Sequence, residues 1–477
     1  MTATADLNPR IIQAAMLVAA LGVGLLAGMD PRFAIAAALG IAFIVMVFGD
    51  RRIGLYLFTI VAFLDVLPAF GGPLFSVAKI LGLLLAASWL AAAATRRDGR
   101  GGLVSTNPTL AYLLGALIVY AALSLTWAEL PERGVGALGR YALNAVLLLI
   151  VVGTLHRRRE AIGLVTAYVV GATASALYGV LFTSDADISD PVGRVSGGIG
   201  DANELSAVLV AGFVLSVGLS LVTRRSPILQ AGAWAGAVVC LVGSFLTLSR
   251  GGFVALALVL VASIVLGGRW RGGAVWIAVL VALSGIFYFG ALAPPEALER
   301  LTEVNGGTGR TDIWRVGWRM VQDQPVLGVG VGNFQTASIH YLLEPGGIER
   351  DEFIVDRPLV AHNTYLHVLA ELGVIGLVAF VLIIFLSLRS ALRAAWVFGS
   401  RGEREMELLS RAVLIGLVGI LVADFFISEQ FSKQLWLLLG VGPALLAIAC
   451  GTHEGEDASP PREEWPSYRE SPAALPA

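Results

Sequence analysis

Apolar runs of roughly 20 residues follow one another along most of the chain, each bounded by a short polar break and each long enough to cross a bilayer as a helix. They fall near 11–28, 32–49, 53–72, 74–95, 109–127, 137–155, 161–183, 203–223, 228–248, 251–268, 273–292, 364–388, 410–428 and 431–450. In lipid a backbone must satisfy its own hydrogen bonds, and a continuous apolar run can do so only as a helix. The pattern therefore predicts an all-α polytopic membrane protein with about 12–14 transmembrane helices. The first run follows a short polar leader ending at Arg10 and has no clear small-residue cleavage site, so it reads as a retained span.

The polar breaks alternate in charge. Arg10, Arg51 and Arg52, Arg96, Arg97 and Arg100, Arg157 to Arg159, Arg224 and Arg225, Arg269 and Arg271, and Arg389, Arg393, Arg401 and Arg404 all fall on one side if the N-terminus is inside. By the positive-inside rule that side is cytoplasmic, and both termini lie there. The other side receives the segment 184–202, the tight turn "SRGG" and the long segment 293–361. The expected organisation is an N-terminal transmembrane bundle over 1–292 of about eleven spans, an extracytoplasmic loop domain over 293–361, C-terminal transmembrane helices over 362–450, and a Pro-, Glu- and Ser-rich disordered cytoplasmic tail over 451–477. No internal repeat is visible, which weakens an inverted-repeat transporter reading.

Composition agrees: 57% apolar residues, 14% charged and a mean hydropathy of +0.79 exclude a soluble protein. The net charge of −2 says little by itself, because a membrane protein's charge is informative by loop and not by total, and no nucleic-acid partner is suggested. Cys240 and Cys450 both lie in apolar runs and are expected to pack in the core without forming a disulfide framework.

Candidate chemistry gathers on the outward side. Arg250 interrupts two apolar runs, and an arginine in hydrocarbon costs several kcal/mol, so it must sit at a boundary, in a polar cavity or beside a partner. The segment "GRVSGGIGDANELS" brings Arg194, Asp201 and Asn203. Segment 293–361 holds six arginines against ten carboxylates, so an anion there would be held by individually placed guanidiniums and not by a general basic patch. Residues 311–322 read as an interfacial helix with Ile313, Trp314, Gly317, Trp318 and Val321 on one face. Arg315 and Arg319 lie on the other face as solvated or snorkelling charge. Arg310 precedes the helix in a glycine-rich turn that lets backbone approach a ligand. His362 stands before an Asn363 helix cap, where the positive helix end disfavours imidazolium; it can accept a proton, or equally serve as an interfacial histidine bonding a headgroup. His367 and Glu371 read as a buried pair. "GVGVGNF" (328–334) lacks a βαβ context and is discounted as a dinucleotide loop, and Asp185 and Asp187 are weak metal candidates in an acidic loop. Ionisable residues expected inside spans are few: Asp65, Lys79, Glu371 and Asp424.

In order, "LSRGG", "GTGR…IW…PVLGVGVGNF" and "HNTYLHVLAELGVIGL" resemble the motifs of the O-antigen ligase and polymerase family over about residues 190–390. The resemblance implies a GT-C-like fold and a metal-independent glycosyltransferase of the cytoplasmic membrane, without cofactors. It implies a polyprenyl-diphosphate-linked glycan as donor and a lipid or saccharide acceptor, in lipopolysaccharide or other cell-surface polysaccharide biosynthesis. Residue by residue, Arg250 and Arg310 match the arginines that grip the diphosphate and His362 the histidine that activates the acceptor hydroxyl. Arg194, Asn203, Asn363 and Trp314 are expected to bind substrate. Ligation is preferred over repeat-unit polymerisation, and a lipid-linked sugar flippase or exporter is the alternative from another class.

Overall fold

A computed structural model describes residues 31–66, 77–95, 103–182, 193–295, 310–342 and 360–451, with short pieces within 17–28 and at 297–298. Among these residues every regular element is helical. Seven helices are long and apolar enough to cross a membrane, and five shorter apolar helices accompany them. The protein is therefore a polytopic membrane protein. Most of the first expected span, Asp185 and Asp187, and the tail beyond 451 lie outside the described residues.

The main helices are α1 (Pro31–Gly49), α2 (Arg51–Val61), α3 (Val77–Thr95), α4 (Pro108–Ser124), α5 (Pro131–Thr154), α6 (Arg158–Phe182), α7 (Ala202–Val222), α8 (Pro227–Leu246), α9 (Arg250–Leu266), α10 (Arg271–Phe287), α11 (Arg310–Asp323), α12 (Thr364–Ser400), α13 (Arg404–Ala423) and α14 (Lys433–Ala449). Prolines occupy the first turn of α4, α5 and α8, where a missing N–H costs nothing. Helix α7 is the centre of the bundle, with 89% of its apolar window buried against α6, α8, α9 and α13. The α10 region stands at the periphery with 6% of its window buried.

Two elements depart from the expected spans. The run predicted at 53–72 is helical only to Val61 and then turns through Val66, bringing Asp65 against Lys433 at 2.7 Å. Helix α12 extends to Ser400, twelve residues beyond the expected end at 388, and is broken internally at Gly373 (φ 62°, ψ −169°). There the turn segment 325–330 packs in: Val329 and Gly330 donate to the carbonyls of Ala370 and Glu371 at 2.9 Å, and Val374 donates to Pro325 at 2.9 Å. A Cβ on residue 373 would lie 2.1 Å from the Val326 carbonyl oxygen, so only glycine fits. Residues 364–372, before the break at Gly373, form an entry helix, and α12 as a whole is long and apolar enough to cross a membrane.

The four ionisable residues expected inside spans sit close to helix ends or breaks. Glu371 lies in the entry helix, Asp424 caps the C-terminus of α13, Asp65 sits in a turn and Lys79 in the first turn of α3. Each is at a helix end or interruption, where a polar group keeps access to partners. Cys240 is buried as expected, whereas Cys450 is exposed at the end of α14; both are free.

The arginine clusters meet at one end of the bundle. Arg52 pairs with Glu160 at 3.1 Å, Arg158 with Glu403 at 2.7 Å, Arg225 with Glu405 at 3.8 Å and Arg269 with Glu407 at 3.2 Å. The outward candidates lie at the opposite end.

Candidate functional site at one mouth of the bundle

The turn joining α8 to α9 carries Arg250. Leu248 takes a left-handed conformation (φ 48°), and Ser249 caps α9 by accepting from Gly252 N–H at 3.3 Å. Arg250 is the first residue of α9 and is exposed. The glycines after it are dictated by packing: a Cβ on Gly251 would meet Phe426 at 2.7 Å, and one on Gly252 would meet Ser206 Oγ at 1.8 Å. Arg194 ties this turn down, donating from Nε to the Thr247 carbonyl at 2.8 Å and from Nη2 to Asn203 Oδ1 at 2.8 Å. Ser249 Oγ donates to the same Asn203 oxygen at 3.0 Å. Arg194 and Asn203, expected as substrate-binding residues, are thus bonded to each other around the turn that presents Arg250.

On the opposite wall, α11 packs against the entry helix of α12. Its buried face is Ile313, Val316, Gly317, Met320 and Val321, meeting Phe334, Leu366 and Leu369. Trp318, expected on that face, is instead 53% exposed, and Trp314 is half-buried. The contact stripe is rotated because the small Gly317 lets Leu366 and Phe334 approach. Arg310 does not precede the helix but begins it; the "GGTG" before it lies outside the described residues. Arg315 donates to Asp312 at 3.1 Å and Arg319 to the Tyr341 carbonyl at 2.7 Å, so both serve local structure.

The Trp314 indole N–H donates to the carbonyl of Ala361 at 2.9 Å, anchoring the residue before His362. His362 itself adopts φ 48°, an uncommon conformation for a residue with a Cβ and one that persists only when surrounding contacts hold it. Asn363 caps α12 by accepting from Leu366 N–H at 3.0 Å, as expected. The His362 imidazole is pushed below its usual value by burial and by the Arg310 guanidinium, with Asp201 opposing. Arg310, Asp201 and His362 therefore act on one another electrostatically, although they come from three separate segments.

The loop 424–432 closes the ring. Thr364 N–H donates to the Asp424 carbonyl at 2.8 Å, Thr364 Oγ1 donates to Ile427 at 2.9 Å, and Glu429 N–H donates to Thr364 Oγ1 at 2.8 Å. Phe426 of the same loop touches Gly251. The loop thus links the start of α12, beside His362, to the start of α9, at Arg250.

Sequence reasoning missed the carboxylates here. Glu204 and Glu429 each interact electrostatically with Asp201 and with Lys433 as the nearby cation, and both interact with Asp424. Asp424 is fully buried, both its carboxylate oxygens lack a hydrogen-bond partner among the described residues, and burial, with Glu204 nearby, pushes its carboxyl above the usual carboxylate range. The available signal was the polar stretch "ISEQFSK" (427–433), which separates two apolar runs and is more than a turn requires.

Two other features are structural. His367 Nε2 lies 3.2 Å from Glu371 Oε1, forming the expected buried pair, and Glu371 also accepts from Phe334 N–H at 3.0 Å. Gly328, Gly330 and Gly332 have φ of 71°, 97° and 72°. Their segment clamps the α4–α5 connection to α12: Trp127 donates to Gly328 at 3.1 Å, and Val331 donates to Ser124 Oγ at 3.0 Å. Behind Arg250, Phe253 joins Phe245, Tyr288 and Phe289 in an aromatic cluster with centroids 4.9–6.3 Å apart, at the ends of α8, α9 and α10.

Fold and site together define a many-span helical membrane protein that gathers arginines, one strained histidine and several carboxylates at one mouth. Residues 235–381 match the family model described as O-Antigen ligase, and the matched stretch holds Arg250, Arg310, Trp314, His362 and Asn363. Arg194 and Asn203 lie before it. No curated protein matches the chain.

Proposed function

We propose that this protein transfers a glycan from a polyprenyl diphosphate carrier to a sugar hydroxyl at the outer face of the cytoplasmic membrane, as a ligase in cell-surface polysaccharide synthesis. The observation that carries the reading is that the loop 424–432 bonds Thr364, two residues after His362, and packs Phe426 on Gly251, next to Arg250, while Arg310 and Asp201 act electrostatically on the His362 imidazole. The matched family region supports it.

In this mechanism the acceptor oxygen forms a bond to the donor sugar's C1 as the C1–O bond to the diphosphate breaks. The acceptor's proton passes to neutral His362, which later releases it to water. Negative charge growing on the departing diphosphate is met by the guanidiniums of Arg250 and Arg310, prepositioned donors that need no reorganisation. The aromatic cluster below Arg250 offers an apolar surface for the first units of the carrier's lipid tail. Arg194 and Asn203 hold the Arg250 turn, and Trp314 and Asn363 hold His362.

A deletion strain tests the reaction type. Accumulation of polyprenyl-linked polymer supports ligation, accumulation of single repeat units supports polymerisation, and loss of outward lipid-linked sugar would favour a flippase. His362→Gln tests the chemistry: it keeps a hydrogen bond but cannot take a proton, and loss of a positioned base costs about 10²–10⁴-fold in rate. Donor-analogue binding by purified protein should change little. Normal turnover in His362→Gln would make His362 an interfacial headgroup contact.

A further inference from the structure

At the end of the bundle opposite His362, a cavity of about 410 Å³ opens where the ends of α7 and α9 meet the start of α13. Four guanidiniums line it, Arg224 and Arg225 from the α7–α8 connection, Arg269 from the α9–α10 connection and Arg404 from the first turn of α13, against one lining carboxylate, Glu405. Glu405 lies 3.8 Å from Arg225. Arg269 reaches Glu407 at 3.2 Å, but that carboxylate also accepts from Arg411 at 3.0 Å. Among the described residues, neither Arg224 nor Arg404 has a carboxylate within 4.0 Å.

The positive-inside tendency accounts for arginines in these connections. It does not account for four of them, from three separate segments, converging on one concavity. Like charges so arranged repel unless an anion lies between them. The rest of the lining is apolar or amphipathic: Leu221 and Leu408 come from inside the helices, and Trp270, at the start of α10, offers an indole, a ring that favours the lipid headgroup level. Trp270 also leads directly into α10, whose flank is open, with Trp276 71%, Leu280 61% and Leu283 57% exposed. A ligand whose phosphate enters the cavity therefore finds an uncovered apolar helix beside it.

We propose that this cavity binds the phosphodiester headgroup of an anionic phospholipid, with its acyl chains lying along α10. The planar forks of Arg224 and Arg404 suit phosphate oxygens, and basic pockets between transmembrane helices recognise such headgroups. The bound lipid joins α7, α9 and α13, two of which begin at the opposite mouth with Asn203 and Arg250, so the site also braces the frame of the functional mouth.

The test uses the purified full-length protein in neutral detergent. Phosphatidylglycerol is expected to raise the thermal midpoint by several degrees, as a ligand of the folded state does, while phosphatidylcholine does not. Arg224→Gln with Arg404→Gln should lose most of that shift, and Arg389→Gln with Arg393→Gln, on the same face but outside the cavity, should keep it. Brominated-chain phosphatidylglycerol should quench wild-type fluorescence more than it quenches Trp270→Phe, a comparison that holds even if the double arginine variant fails to fold. Equal shifts from the two lipids, an undiminished shift in a folded double variant, or equal quenching in Trp270→Phe would overturn the proposal. So would millimolar inorganic phosphate reproducing the phosphatidylglycerol shift, which would make the cavity a free-anion site.

Discussion

Asn203 Oδ1 accepts from Arg194 Nη2 at 2.8 Å and from Ser249 Oγ at 3.0 Å, so one amide oxygen joins the loop before α7 to the turn that carries Arg250. Misplacing a reacting group by about 1 Å can cost roughly 10²-fold in rate. Asn203→Leu is therefore expected to lower kcat of glycan transfer by about ten- to a hundredfold with a smaller change in KM. Asn203→Asp keeps the acceptor oxygen and should restore most activity. If the two variants were equally impaired, Asn203 would touch substrate directly and not position the turn.

The balance of charges around His362 sets a pH dependence. Burial and Arg310 lower its proton affinity, so the neutral, proton-accepting form persists below the ordinary imidazole value of about 6.5, and the acid limb of kcat/KM should fall beneath it. Arg310→Gln removes a lowering influence, and the limb of the residual activity should move to higher pH. Asp201→Asn removes a raising influence while preserving a helix cap, and the limb should move to lower pH. Limbs that coincide in all three proteins would assign the titration to another group.

Arginine geometry is separable from charge. Arg250→Lys should lose most transfer activity, because an ammonium cannot form the two-pronged contact to a diphosphate. Arg315→Ala and Arg319→Ala should remain mostly active, since their guanidiniums are committed to Asp312 and the Tyr341 carbonyl. Full activity of both Arg250→Lys and Arg250→Ala in membrane vesicles would reduce Arg250 to a topology signal.

The glycine after Gly251 is a packing requirement that can be relieved. Gly252→Ala places a Cβ 1.8 Å from Ser206 Oγ, an overpacking that costs about 1–3 kcal/mol. Its thermal midpoint should drop by several degrees, and Ser206→Gly in the same chain should recover part of the loss. Additive destabilisation in the double variant would mean that the two residues do not compete for space.

What the sequence by itself determined is the set of properties that lie within one stretch of chain. Long apolar runs specify spans because lipid offers a backbone no hydrogen bonds, and the limits of α4 and of α6 to α9 fall within about three residues of the expected ones, whereas α5 starts at Pro131, ahead of the expected 137. The Asn363 cap and the His367–Glu371 pair were legible for the same reason, being separated by three and four residues along one helix. Tertiary structure decided what depends on surfaces meeting. Gly373 breaks α12 where residues 325–330 lie against it, and the Glu371 carbonyl at the break accepts from Gly330. The buried stripe of α11 turned toward Val316 and Met320 and left Trp318 exposed, because Leu366 and Phe334 press against Gly317. Arg194 bonding Thr247, Glu204 meeting Asp424 and Glu429, and four arginines converging at the far end all join segments tens to hundreds of residues apart. No local period encodes such meetings; they follow from which helices pack side by side, with α7 at the centre.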